Sequence, residues 1–503
     1  MDYGIREHSA SERSDSLIGR CDTAGQPAAL YLKRTCCYDR TARRPQARPA
    51  VPSGLTLRAE CPSIGAGVSK RILIFSRGNV GTFMSSPGIR AYAMAKVLAK
   101  GLPDAKITLA IPNEGDWPDP VPGVEVRTWG PMFSMPLIAR HDIIITSGFS
   151  PHFSLFFKDK TFIADLFSQY YMEWMELTKA EARGVKRDVW MSRCRAYIGM
   201  QLTLADFVIC ANERQRDSYI GMLSSLGLLD PAGYDADDTL RSLIDVAPHG
   251  IRPEPMTHDK QVVKGVYAGI RETDKVLLWN GGTVSWYDPE PFLRALHTLS
   301  KERDDIKALF LGTFYPGLGS FLGYGVRFKS AFELAKELGL YQKTVFFEFG
   351  WLPHADVKNY LLESDIGVCT YFENMETHYS HRTRFLDLFW AELPVICTRG
   401  DILAQDVEDR QLGVAVPQGD ANAIADAIRK LVDDRQFYEE CRANLRTLKP
   451  ELEWEVTLDA LVRFCRDGTS TAAPKRERFV PTLSRTVEYV VKRVRDMGTP
   501  NPR

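Results

Sequence analysis

Short apolar runs, each closed by a small or polar residue and followed by a helix-like stretch or a loop, recur along most of this 503-residue chain. The first is RILIFSRG at 71–78, followed by IRAYAMAKVLAKGL with helical spacing, then by KITLAIP, VEVRTW, DIIITSG, TFIADLF and DFVICAN. Runs this short and this uniformly apolar are strands buried on both faces, the condition of a parallel sheet covered by helices. Their alternation with helical stretches predicts a doubly wound α/β domain. A second series begins near Lys275 with KVLLWNGG, IKALFLG, TVFFEFG, DIGVCTYF, LPVICTRG and LGVAVPQG. Amphipathic stretches such as ANAIADAIRKLVDD lie between some of them. The expected fold class is therefore α/β, with two Rossmann-like domains. Ligands of open parallel sheets bind at the carboxyl ends of the strands, and most of these strands end in Gly, Asn, Thr or Ser. Two such sheets facing one another would form a cleft, a favoured ligand site.

This pattern places a first domain at 69–250, a second at 251–450, a closing helix at 451–468 and a basic tail at 469–503. Residues 1–68, with stretches such as RTARRPQARPAVPSG, show no sustained periodicity and are expected to be a disordered extension. The tail contains LSRTVEYVVKRVRDMG, a basic amphipathic pattern suited to peripheral contact with an anionic membrane or to packing on its own protein.

Charge narrows the partners. Lys and Arg total 64, as do Asp and Glu, so the chain lacks the basic field of a nucleic-acid binder. No run of about 18 uncharged apolar residues predicts a membrane-spanning helix. The ten cysteines show no metal-ligand spacing, and Cys210, Cys369 and Cys397 fall in strand-like runs. Buried thiols of this kind suit a reducing cytoplasm.

Four stretches carry chemistry. GNVGTFMSSPGIRAYAMAKVLA (78–99) joins the first strand to a helix. Gly81 and Gly88 permit close backbone approach, and the helix that bears Arg90 offers free amide groups at its start; the alternative is an ordinary loop. In TFIADLFSQYYMEWMEL (161–177), Asp165 ends a strand, placed to accept a proton or orient a hydroxyl, or else to cap the following helix. In LLWNGGTVSWYDPEPFLRAL (277–296), Gly281, Gly282 and Thr283 follow a strand, where a diphosphate could rest against bare amides. In ENMETHYSHRTRFLDLFWAELPVI (373–396), Glu376 lies in a rim loop, and Arg382 and Arg384 precede the helix carrying Asp387. Cations at a helix start oppose its dipole unless an anion is bound there, and Arg suits bidentate phosphate recognition. A carboxylate one turn in can take ribose hydroxyls. The plainer alternative is that Arg384 and Asp387, at i and i+3, pair with each other.

With these stretches in place, the layout resembles the GT-B glycosyltransferases, specifically family 4. ADFVICANERQRDSYI, IDVAPHGIRPEP and FGWLPHADVKNYLLESDIGVCTY resemble that family's strand-and-helix, linker and second-domain patterns, and the likeness covers roughly 70–465. The resemblance implies retaining transfer from a nucleotide-diphosphate sugar bound by the second domain to an acceptor bound by the first, with neither metal nor other cofactor. It departs from the family in places. Seven residues before Pro394 stands Asp387 where the family has Glu, and eight earlier stands Tyr379 where it has another, leaving Glu376 as the nearest stand-in. The family's Arg and Lys after the second domain's first strand are absent from the stretch holding Gly282, Trp286 and Tyr287, and its His at the fifth strand's end is replaced by Asp165.

The expected catalytic residues are Asp165, Glu376, Arg382 and Arg384. The donor site would comprise Gly281, Gly282, Thr283, Asp387 and Trp351, the last facing the base, and the acceptor-side loop Gly81, Gly88 and Arg90. The expected activity is metal-independent hexosyl transfer to a glycan, lipid or small-molecule acceptor, in cell-envelope polysaccharide or glycoconjugate synthesis. The alternatives are a non-catalytic sugar-nucleotide-binding subunit and a sugar-nucleotide epimerase of the same fold.

Overall fold

The computed structural model describes residues 69–114, 119–130, 134–148, 157, 159–181, 184–312, 326–468, 470–472, 484, 487 and 491. The extension 1–68 and nearly all of the tail beyond 472 lie outside the described residues.

The first apolar series forms a seven-stranded sheet. Its strands are β1 (Arg71–Phe75), β2 (Lys106–Ile111), β3 (Val124–Thr128), β4 (Ile143–Thr146), β5 (Thr161–Asp165), β6 (Phe207–Cys210) and β7 (Ile244–Val246), in the order β3-β2-β1-β4-β5-β6-β7. The second series forms a six-stranded sheet of β8 (Lys275–Asn280), β9 (Ile306–Leu311), β10 (Val345–Phe347), β11 (Ile366–Cys369), β12 (Val395–Thr398) and β13 (Gly413–Val416), in the order β10-β9-β8-β11-β12-β13. Every pairing within the two sheets is parallel. The continuous apolar runs are explained by burial: Ile72, Leu73, Ile144, Ile145, Leu277 and Leu278 are fully buried between helical layers. Strand order reverses direction at β1/β4 and at β8/β11, so each sheet opens a crevice at the carboxyl ends of those strands.

Strand β7 was not expected. The segment 244–246 read as the start of the connection between domains, because three residues carry no periodicity. Pairing with β6, Val208 against Ile244, recruits it to the sheet edge and fixes the direction in which the chain leaves the first domain.

The chain also returns. Helix Asp459–Asp467 packs on the first sheet, with Phe464 stacked on Phe207 at 4.2 Å between ring centroids. Lys70 Nζ donates to the Cys465 carbonyl at 2.8 Å. Two further sets of bonds join the domains. The His354 amide donates to the Thr82 carbonyl at 2.8 Å. On the other flank, Asn212 Nδ2 and Gln215 Nε2 both donate to the Tyr379 carbonyl, at 3.1 and 2.9 Å, and Arg214 Nη1 donates to the His378 and Gly400 carbonyls. Among the described residues, no helix is long and apolar enough to cross a membrane.

Candidate functional site

A cavity of about 660 Å³ lies between the two sheets, and both the β1 loop and the β8 loop line it. Its second-domain wall is built on the end of β8. Gly281 adopts φ +97°, a left-handed conformation that glycine takes without steric cost. A side chain there would also come within 3.7 Å of Arg384 Nη2. Arg384 sits at the start of helix Arg384–Trp390 and reaches across the glycines. Its Nη2 donates to the Gly282 carbonyl at 2.7 Å, and its guanidinium lies over the Tyr287 ring, 3.6 Å from the centroid. The salt-bridge alternative for Arg384 is not realised: Asp387 Oδ2 instead accepts from Asn280 Nδ2 at 3.0 Å. Burial pushes the Asp387 carboxyl up to about 6, against the opposing pull of the Asn280 amide and the nearby arginines. Trp351 lines the cavity beside Gly312, at the end of β9.

This wall holds an excess of hydrogen-bond donors. Among the described residues, Arg384 Nη1 and Trp286 Nε1 on this wall are buried and have no hydrogen-bond partner; Thr283 Oγ1 and Ser285 Oγ of the same loop are also buried and unpartnered but do not line the cavity. An unsatisfied buried donor costs about 1–3 kcal/mol, so two on the wall that carries the glycine pair mark a place suited to an acceptor-rich ligand.

The structure therefore brings Gly281, Gly282, Trp351, Arg384 and Asp387 together on the cavity, while Thr283 is fully buried behind it. It places the other expected residues elsewhere. Arg382 is buried away from the cavity wall, with Nη2 2.7 Å from Glu376 Oε2 and 2.9 Å from Thr377 Oγ1. Its Nε lies 3.5 Å from Asp401 Oδ2, and its guanidinium lies over the Tyr371 ring. Glu376 is consumed by that pair and by Ser380 Oγ at 2.6 Å, and neither residue lines the cavity, although Arg382 Nε is buried without a hydrogen-bond partner among the described residues. Across the domain boundary, Glu173 on helix Tyr170–Glu181 faces this cluster; burial, then the Glu376 charge, pushes it up to about 7. Burial likewise pushes Asp401 up to about 7, although Arg382 opposes it.

Asp165 is also spent. Arg90 Nε and Nη2 donate to its carboxylate at 2.8–3.1 Å, with Arg90 1% and Asp165 5% exposed. The remaining Arg90 donors go to the Ala247 and Pro248 carbonyls at 2.7 and 3.0 Å. A carboxylate held this way anchors the chain after β7. Gly88 lets the helix start pack on the loop, since a side chain there would fall 2.0 Å from the Asn79 carbonyl oxygen. Neither Gly81 nor Gly88 lines the cavity; Gly78, Asn79, Ser85 and Ser86 from the same loop do.

One residue of the wall escaped the sequence reading. His249, 3% exposed, lines the cavity with its Nε2 3.0 Å from Ser86 Oγ. Burial, then the neighbouring Arg90 charge, holds its pKa well below the ordinary value, so it is neutral. The only available signal was a polar residue in APHGI directly after a strand too short to be recognised. Among the described residues, no group of three or more His, Cys, Asp or Glu could hold a metal ion.

Comparison with known proteins agrees with this geometry. Residues 267–448 match the family described as glycosyl transferases group 1. None of the curated proteins compared matches the chain. Among solved structures, HepE of Anabaena in complex with UDP superposes with a TM-score of 0.52 at 13% identity, covering 79% of this chain and 99% of that one. Sucrose-phosphate synthase of Thermosynechococcus elongatus gives a TM-score of 0.53 at 15% identity, covering 79% and 98%. WaaG, a glycosyltransferase involved in lipopolysaccharide biosynthesis, gives 0.53 at 15%, covering 78% and 99%. At these identities the likeness establishes the fold, which is GT-B.

Proposed function

We propose that this chain, whose second domain belongs to the glycosyl transferases group 1 family, moves a sugar from a nucleotide-diphosphate donor to an acceptor hydroxyl. The observation that carries the reading is the set of unpartnered donors around Gly281–Gly282. A diphosphate seated there would accept from Arg384 Nη1 and Trp286 Nε1, and the bare glycine backbone would let it approach. Asp387 would take the ribose hydroxyls and Trp351 the base. As the sugar carbon–oxygen bond breaks, its electron pair and the developing negative charge pass to the diphosphate. Fixed donors already aimed at that charge are the largest source of rate in such sites. The family resemblance supports a retaining outcome, with charge neutralised by side chains and amides and without a bound metal. HepE, solved with UDP, supports a uridine nucleotide as the first donor to try, and WaaG supports a role in envelope glycan synthesis. The acceptor would be a glycan, a lipid or a small molecule, met in the cytoplasm, with the basic tail providing any contact with an anionic membrane.

A second reading, a sugar-nucleotide-binding subunit without turnover, is favoured by the ion pairs that occupy Asp165 and Glu376. One experiment separates the two. Calorimetry with UDP, GDP and ADP is followed by a search for release of the nucleoside diphosphate from the matching sugar nucleotides. Tight binding with release supports the transferase, tight binding without release supports the subunit, and the absence of nucleotide binding would falsify both.

A further inference from the structure

Ser86 and His249 form a second polar feature of the cavity, away from the diphosphate seat. Ser86 is the first residue of helix Ser86–Gly101, and His249 follows β7. The two are 163 residues apart and meet because the segments after β1 and β7, two strands of the first sheet, converge on the cavity. His249 is held firmly: its ring meets Phe167 edge-on at 5.1 Å and packs near Trp454 at 5.7 Å. The two carbonyls preceding it are clamped by Arg90, which Asp165 fixes in turn. His249 Nδ1 is buried without a hydrogen-bond partner among the described residues, as are both ring nitrogens of neighbouring His381. Burial holds the His381 ring at about 4, so it too is neutral.

A neutral imidazole and a hydroxyl do not suit a phosphate, which calls for charged or backbone donors. They suit a group that both donates and accepts. Either tautomer of His249 leaves Ser86 able to make one further bond. If Nε2 accepts from Ser86, the Ser86 lone pairs face a substrate donor; if Nε2–H donates, the Ser86 proton is free for a substrate acceptor. In a cavity that holds a nucleotide sugar, the uncharged, hydroxyl-rich part of the ligand is the sugar.

We infer that Ser86, oriented by His249, recognises a hydroxyl of the transferred sugar, and that the Arg90–Asp165 clamp holds His249 in place for that task. Ser86 is the contacting residue, His249 a positioning residue, and Asp165 acts at one further remove. The inference rests on the donor reading above.

The test compares two ligands, UDP and UDP-glucose, by calorimetry on the full chain, with GDP and GDP-mannose as a second pair. Ser86→Ala and His249→Phe are expected to weaken the sugar nucleotide about tenfold, the value of one neutral hydrogen bond, and to leave the nucleoside diphosphate within about twofold. His249→Asn, which keeps a donor and an acceptor, is expected to recover part of the loss. Among deoxy-sugar nucleotides, one should bind wild type as weakly as the parent sugar binds Ser86→Ala, and show no additional loss in that variant. Equal weakening of both ligands, or of neither, overturns the inference while leaving the donor reading intact. Failure of wild type to bind either nucleoside diphosphate overturns the donor reading and this inference with it.

Discussion

Arg382 Nη2 stands 2.7 Å from Glu376 Oε2, with Arg382 5% and Glu376 4% exposed, and Asp401 beside them fully buried. A single guanidinium therefore serves two carboxylates on the second domain and faces a third, Glu173, on the first. Removing one partner of a buried pair leaves uncompensated charge and typically costs about 3–5 kcal/mol. Arg382→Met is expected to lower the unfolding free energy measured by denaturant titration by an amount in that range, while folded protein keeps near-normal affinity for a nucleoside diphosphate. A loss of affinity without a loss of stability would instead put Arg382 in contact with the ligand.

The same cluster makes stability depend on pH. Glu173 and Asp401 have folded-state values of about 7, above the ordinary carboxylate range. The folded protein thus keeps protons that the unfolded chain releases. Their contribution is complete below the unfolded values and is lost as pH rises to about 7. Glu173→Gln, which cannot ionise, should become progressively more stable relative to wild type between pH 5 and pH 8. Thermal melts of the two proteins across that range test this, and a constant difference would refute it.

Asp387 supplies a ligand-linked dependence of the opposite sign. Its carboxyl is pushed up to about 6, and ribose hydroxyls bind its ionised form better. Nucleoside diphosphate affinity should rise as pH increases through 6 and level off above 7. Asp387→Asn should bind more weakly and lose the part of that rise that is not due to ionisation of the phosphate itself. Parallel slopes in calorimetric titrations of the two proteins would remove Asp387 from the site.

Gly281→Ala tests the glycine seat directly. The left-handed φ of +97° costs a side-chain-bearing residue roughly 1–2 kcal/mol, and the new methyl would cover the bare backbone at ordinary contact distance from Arg384. Nucleotide affinity is expected to fall at least tenfold with only a modest drop in melting temperature. Retained affinity would mean that the diphosphate does not approach this backbone.

Much of this architecture is legible in the sequence, because buried parallel strands impose an apolar run that survives without knowledge of partners. The loop of Gly281 and Gly282 is readable for a related reason: it lies just beyond a strand end, and topology makes such ends the crevice. The fates of Asp165, Glu376 and Arg382 were not readable. A carboxylate at a strand end looks the same whether it faces a substrate or an arginine 75 positions away, as Arg90 does for Asp165. Arg382 was drawn from the expected ligand by Glu376 and Asp401, a competition that depends on side-chain reach in three dimensions. His249 was hidden because its strand is three residues long and held by pairing rather than by pattern.

The bonds joining the domains on the two flanks of the cavity have a kinetic meaning. Thr82 with His354 closes one side, and Asn212, Arg214 and Gln215 fasten the 378–380 backbone on the other. Most of these contacts end on a main-chain carbonyl, so they are indifferent to which substrate is inside and part as a unit when the domains separate. Under the proposed function, dwell time of the spent nucleotide is expected to be set by the seam as well as by the pocket. Loosening the seam by Arg214→Ala should speed nucleotide release in stopped-flow measurements without altering the contacts that hold the diphosphate; an unchanged release rate would show that exchange takes place through the closed form.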